Sequence, residues 1–181
     1  KVLLVARAPM PAFDQAQRAA DFFKEEAEAA VLAAFKPDIV MLQEIKCPDA
    51  ALPRLEIEEL GYNIASHGQK SYNGVAILSR RPIEDVTPRL PAPDGVLDEH
   101  SRYLEAVVTG EKGIVRVASI YAPNGNPHPG PKFDYKLAWL ERLRLHARRL
   151  LKTEEPVVLL GDYNIIPEDK DAAKPKAWVK D

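Results

Sequence analysis

Two short segments constrain this chain more than any others, because each drives an apolar strand straight into a carboxylate. In KPDIVMLQEIKCPD the run Ile39–Leu42 leads into Gln43, Glu44 and Lys46. In PVVLLGDYN the run Val157–Leu160 leads into Gly161, Asp162 and Asn164. Short apolar runs bounded by proline and charge read as strands buried on both faces. Such strands need helices or a second sheet over them, so the chain is α/β or α+β, read as one domain over residues 1–181.

The remaining elements follow from the same signals. VLLVA, residues 2–6, reads as a buried strand stopped by Pro9 and Pro11. Asp14 caps a helix over roughly 15–35, which Pro37 ends because the residue before proline avoids the α region. Pro48 and Asp49 open a short helix, with Gly61 at its C′ position. Strands are expected near 62–66, 73–79, 103–109 and 114–121, followed by a loop over 121–134 rich in proline and glycine. A strong helix is expected over 133–151, with Phe133, Leu137, Leu140, Ala147 and Leu151 lining one face. The strand over 156–164 and a charged tail without periodicity complete the chain.

Composition excludes several classes. The chain is 46% hydrophobic and 29% charged, the balance of a globular protein and not of a disordered one. No apolar run approaches the ~18–20 residues that span a bilayer, so no membrane role is expected. The N-terminal segment has too few apolar residues before Arg7 for a secretory leader. Cys47 is the one cysteine, so no internal disulfide can form, and a cytoplasmic setting is the default. Net charge −2 argues against a surface that grips polyanions all over. Between Gly61 and Ile83 there is no acidic residue, while Lys70, Arg80 and Arg81 are present. That segment reads as a local basic groove or as a solvated loop and strand edge.

In α/β architectures, sites form where strands leave the sheet. If the two acid-tipped strands lie together, Glu44 and Asp162 converge, with Asn164 beside them. Such oxygens suit Mg²⁺, which takes one or two carboxylates plus water and substrate phosphate. Against this stands the plainer reading of each acid as a solvated cap at a strand end.

The motifs PDIVMLQEIKC, GYNIASHGQKSYNGVAILSR, SRYLEAVV, IYAPNG, KFDYKLAWL and VVLLGDYNIIPEDKD occur here in order, over Pro37 to Lys176. Together they strongly resemble exonuclease III-type AP endonucleases of the endonuclease/exonuclease/phosphatase superfamily. The resemblance implies a four-layered α/β sandwich of the DNase I-like type, mixed sheets flanked by helices. It implies a Mg²⁺-dependent phosphodiesterase, with Mn²⁺ as a substitute, that cuts double-stranded DNA at abasic sites and removes nucleotides from 3′ ends in DNA repair. Carried over by position, Glu44 is the metal ligand and Tyr121 contacts the scissile phosphate. Asp162 orients or activates the attacking water, and Asn164 holds the substrate or transition state. Lys70, Tyr72, Asn73 and Arg102 touch DNA.

The sequence also departs from the family pattern. The family's first strand ends in an asparagine that supports the metal site, and residues 1–15 contain none. Its C-terminal Ser-Asp-His motif has no counterpart here, since no histidine follows His146. On this reading residues 1–36 are an atypical strand and helix, 37–176 the exonuclease III-like region and 177–181 a tail. The expectation is a truncated, recombined or designed chain, with activity weakened or lost and self-association through an exposed sheet edge. The alternatives are a DNA-binding module that does not cut, and a fold-only chain without activity. His100, His128 and His146 are expected as surface or packing residues, His67 as loop architecture and Cys47 as a packed thiol.

Overall fold

The structure, a computed structural model, describes residues 2–5, 32, 34–92, 95 and 97–171. Its strands are β1 Val2–Val5, β2 Ile39–Gln43, β3 Asn63–His67, β4 Val75–Ser79, β5 Ile83–Pro88, β6 Tyr103–Gly110, β7 Gly113–Tyr121 and β8 Val157–Asp162. Its helices are α1 Arg54–Glu59 and α2 Pro131–Leu150. Short 3₁₀ turns cover Asp49–Ala51, Leu151–Thr153 and Asp169–Asp171. Most of the helix expected over 15–35 lies outside the described residues; Leu32, Ala34 and Phe35 are helical.

The strands form two four-stranded sheets, β1-β2-β4-β3 and β5-β6-β7-β8. Within each, antiparallel pairs are joined to one parallel edge pair, β1 with β2 and β7 with β8. A parallel pair cannot be joined by a tight hairpin, and α2 supplies the crossover from β7 to β8. The strand period of two separates the faces. Ile39, Met41, Val75 and Ile77 meet Leu104, Ala106, Val108 and Val117 between the sheets. Val40, Leu42, Ala76 and Leu78 turn outward and are covered by Leu32, Leu52 and Ile57. Ala118, Ile120 and Tyr103 turn outward on the other sheet beneath Trp139 and Leu143 of α2. The order helix, sheet, sheet, helix is the mixed α/β sandwich of the DNase I-like type expected from the sequence.

Two expectations need correction. The face of α2 that meets the sheet carries Trp139, Leu143, His146 and Leu150, spaced by four, three and four residues. Leu137 and Leu151, expected on the buried face, are 51% and 73% exposed. The expected stripe left out Trp139 and His146, which fill the buried face together with Leu143 and Leu150. Strand β5 was not expected at all. Its sequence IEDVTP places Glu84 and Asp85 in solvent, and a register shift between Glu84 and Thr87 interrupts its pairing with β6. Charge, proline and a bulge are how an edge strand avoids pairing with other chains, and they also erase its apolar signature.

A buried polar cluster ties α2 to its sheet. Glu105 on β6 is 3% exposed and His146 on α2 is 8% exposed. The Glu105 carboxylate accepts bonds from His146 Nε2 at 2.7 Å, Tyr103 OH at 2.5 Å and Arg116 Nη1 at 3.0 Å. Burial pushes its carboxyl up, but the bonds from His146 and Tyr103, the charge of His146 and the bond from Arg116 outweigh that and hold it below its ordinary value. His146 is thus a packing residue, joined to the sheet by a charged bond. Cys47 is buried too; burial, with the charge of Asp49, pushes its thiol up to about 11.

Candidate active site

The two acid-tipped strands come from different sheets, and their meeting depends on how the sheets are pinned. Gln43, the last residue of β2, donates from Nε2 to Ser119 Oγ on β7 at 2.9 Å. Ser119 Oγ donates in turn to the Leu42 carbonyl at 2.9 Å. Both residues are buried, so this relay fixes the end of β2 over the end of β7. The next residue along β2 is Glu44, and its Oε1 accepts a bond from Tyr121 OH at 2.9 Å. Tyr121 closes β7, and in the parallel register its partner is Asp162, the last residue of β8. Three strand ends therefore bring Glu44, Tyr121 and Asp162 to one edge of the sandwich.

Each of these segments is held by its own bonds. Glu44 and Lys46 have φ +56° and +53°, a region that side chains other than glycine rarely occupy. The kinked exit is held by Ile45 N–H to the Gly74 carbonyl at 3.2 Å and Lys46 N–H to the Asn73 carbonyl at 3.0 Å. Lys46 Nζ lies 2.6 Å from Glu44 Oε2, so both carboxylate oxygens are engaged. On β8, Gly161 is required by close approach, because a Cβ there would lie 1.8 Å from the Ile120 carbonyl oxygen. After it, Asn164 N–H donates to Asp162 Oδ1, Asn164 Nδ2 donates to the Ala122 carbonyl and Ala122 N–H donates to the Asp162 carbonyl, each at 2.8 Å.

The electrostatics keep Tyr121 a donor. Burial raises its phenol first, the bond to Glu44 and that residue's charge raise it further, and Arg102 offsets only part. The Arg102 guanidinium sits 5.0 Å from the centre of the Tyr121 ring, within cation–π range.

The residues expected to touch DNA divide into two groups. Lys70 and Tyr72 are exposed on the loop between β3 and β4. Asn73 is 7% exposed, and its Nδ2 donates to Gln69 Oε1, which also accepts Ser101 N–H. Asn73 thus braces the loop that holds Lys46. The groove joining Lys70 to Arg80 does not form at this site. In the antiparallel register Gln43 faces Val75 while Ile39 faces Ser79, so Arg80 and Arg81 follow the far end of β4. There Arg80 lies over the Tyr62 ring and Arg81 pairs with Glu111.

Lys136, Gln43 and Ser119 were assigned no role from the sequence. Lys136 stood within KFDYKLAWL, but nothing in its spacing ties it to Asp162. In the structure its Nζ donates to the carbonyls of Asn124 and Asn164.

The model of the endonuclease/exonuclease/phosphatase family matches residues 13–178. The chain belongs to the endonuclease/exonuclease/phosphatase family. It is 32% identical over 156 residues to exodeoxyribonuclease III of Haemophilus influenzae, covering 83% of this chain and 58% of that protein. A solved 3′-5′ exonuclease from Neisseria meningitidis superposes with TM-score 0.75 at 36% identity, covering 87% of this chain and 60% of the other. An AP endonuclease from Archaeoglobus fulgidus superposes with TM-score 0.72 at 32% identity, covering 82% and 55%. The chain therefore spans somewhat over half the length of these relatives. Among the described residues, no group of three or more His, Cys, Asp or Glu side chains is placed to hold a metal ion, and no helix is long and apolar enough to cross a membrane.

Proposed function

We propose that this family member carries the phosphodiesterase site of an exonuclease III-type enzyme, acting on abasic and 3′-terminal positions of double-stranded DNA. The observation that carries the reading is the Tyr121–Glu44 bond between the two sheets, with Asp162 paired beside Tyr121. The names of the relatives, an exodeoxyribonuclease III, a 3′-5′ exonuclease and an AP endonuclease, support DNA as the substrate.

The donor chemistry fits Mg²⁺. A hard cation with only one or two protein carboxylates and a largely water shell needs no cage of three, and Glu44 offers two oxygens on a backbone turn held by the Asn73 and Gly74 carbonyls. Glu44 would hold the ion, displacing Lys46 from Oε2. When bound, Mg²⁺ supplies Lewis-acid stabilisation of charge on the phosphoryl and leaving oxygens. The chain's own residues do the rest. Tyr121 stays protonated and can turn its one O–H from Glu44 Oε1 to a phosphate oxygen. Asp162 accepts a proton from the attacking water. Asn164 gives one Nδ2 hydrogen to the Ala122 carbonyl and has a second for the phosphate. Lys70 and Tyr72 reach the DNA backbone, while Arg102 acts through the Tyr121 ring.

Nicking of a duplex with one abasic site, with Mg²⁺ and with EDTA, tests this. EDTA-sensitive nicking that Glu44→Gln and Asp162→Asn each reduce by roughly 10³-fold agrees with it. No EDTA-sensitive nicking, with salt-dependent binding that ignores the abasic site, supports the DNA-binding module instead.

A further inference from the structure

The α2 helix sends one cation into the site region from behind. Lys136 is half-buried, and its Nζ donates to the Asn124 carbonyl at 3.1 Å and the Asn164 carbonyl at 2.5 Å. Asn124 belongs to the loop that leaves β7 after Tyr121, and Asn164 to the turn that leaves β8 after Asp162. Two carbonyl dipoles aimed at one point repel each other unless a cation or donor sits between them, and here an ammonium does. The side chain reaches that point by crossing Gly125. A Cβ at Gly125 would lie 2.6 Å from Lys136 Cδ, and with φ +87° the backbone there already suits glycine. Helix, loop and turn are thus fitted around this one stem.

We propose that Lys136 is a positioning residue for the Asp162–Asn164 turn, its ammonium clamping the exits of β7 and β8 so that Asp162 and Asn164 keep their register beside Tyr121. The catalytic consequence rests on the function proposed above; the structural one does not. The clamp closes a ring that the other bonds leave open. Ala122 N–H and Asn164 Nδ2 join the two exits near the strands, and Lys136 joins them again at the Asn164 carbonyl, two residues beyond Asp162, and the Asn124 carbonyl, two beyond Ala122. Burial lowers the Lys136 ammonium from its ordinary value, and the charge of Asp162 works against that shift.

Amide exchange and kinetics on Lys136→Met, Lys136→Arg and Gly125→Ala test this. Lys136→Met keeps an apolar stem and removes the donors. Its Asn164 and Ala122 amides should exchange faster, on the order of tenfold, while those of Leu143 and Ala106 hold their rates. Arginine, which can still donate, should restore most of that protection. Gly125→Ala, which pushes the stem aside, should reproduce the loss without touching the charge. In the nicking assay Lys136→Met should lower kcat with KM nearly unchanged. Unchanged exchange at Asn164 and Ala122 in folded Lys136→Met or Gly125→Ala overturns the proposal. So does an equal rise throughout α2, which marks a merely structural lysine. A wild-type chain that does not nick sinks the phosphodiesterase reading, and the exchange rates still decide the clamp.

Discussion

Replacing Glu105 with glutamine should cost this fold several kcal/mol at neutral pH and much less in acid. The residue is 3% exposed and its carboxylate accepts from three donors, His146, Tyr103 and Arg116. Glutamine keeps the shape but presents its own N–H₂ to at least one donor, so a bond is lost and a donor is left buried. Bonds to charged groups contribute about 1.5–3 kcal/mol each, and relief of carboxylate desolvation offsets part of the loss. The expected destabilisation is roughly 2–4 kcal/mol, which in a domain of this size lowers Tm by about 5–10 °C. The pH dependence fixes the cause. The carboxyl of Glu105 is depressed in the folded state. Its stability is therefore present above the unfolded value and lost as pH falls through the folded one. Thermal melts of wild type and Glu105→Gln should be separated at pH 7 and converge as pH drops below ~4. Melts that coincide at pH 7, or a gap that persists unchanged in acid, would refute the charged network as what holds α2 to the sheet.

Three further outcomes are expected. Cys47, pushed up to about 11 by burial and Asp49, should react very slowly with a disulfide reagent at pH 8 and promptly once the chain is denatured. Gly161→Ala should destabilise by about 2 kcal/mol or more in urea titration, because its Cβ meets the Ile120 carbonyl oxygen at 1.8 Å. Ser119→Ala should cost about 1–3 kcal/mol in the same titration, since it leaves the buried Gln43 Nε2 without an acceptor.

How far the sequence carries depends on the range of the physics involved. Strands β2, β4 and β8 were legible because their apolar runs are continuous, and β6 and β7 because β-branched and aromatic residues recur between turn signals. The edge strand β5 was not, because the charges and bulge that protect an edge remove that signal. The helix α2 was legible in extent but not in orientation. Leu137 is apolar and exposed, while His146 is polar and buried against Glu105, and only the partner across the interface explains the exchange. Glu44, Tyr121 and Asp162 stood out through motif resemblance and strand-end position. Their convergence depends on Gln43 and Ser119, separated by 76 residues, a relation that no local pattern encodes. The bracing bond from Asn73 Nδ2 to Gln69 Oε1 was not legible either, since it depends on how the loop closes.

The central claim is that strand ends from two sheets make one site. Magnesium titration of the assigned amide spectrum tests it without relying on turnover. The account predicts saturable shifts at Glu44–Lys46, Tyr121–Ala122 and Asp162–Asn164 that follow one binding curve and vanish together in Glu44→Gln. Shifts confined to one of these segments, or scattered over the exposed acids with no dependence on Glu44, would contradict it.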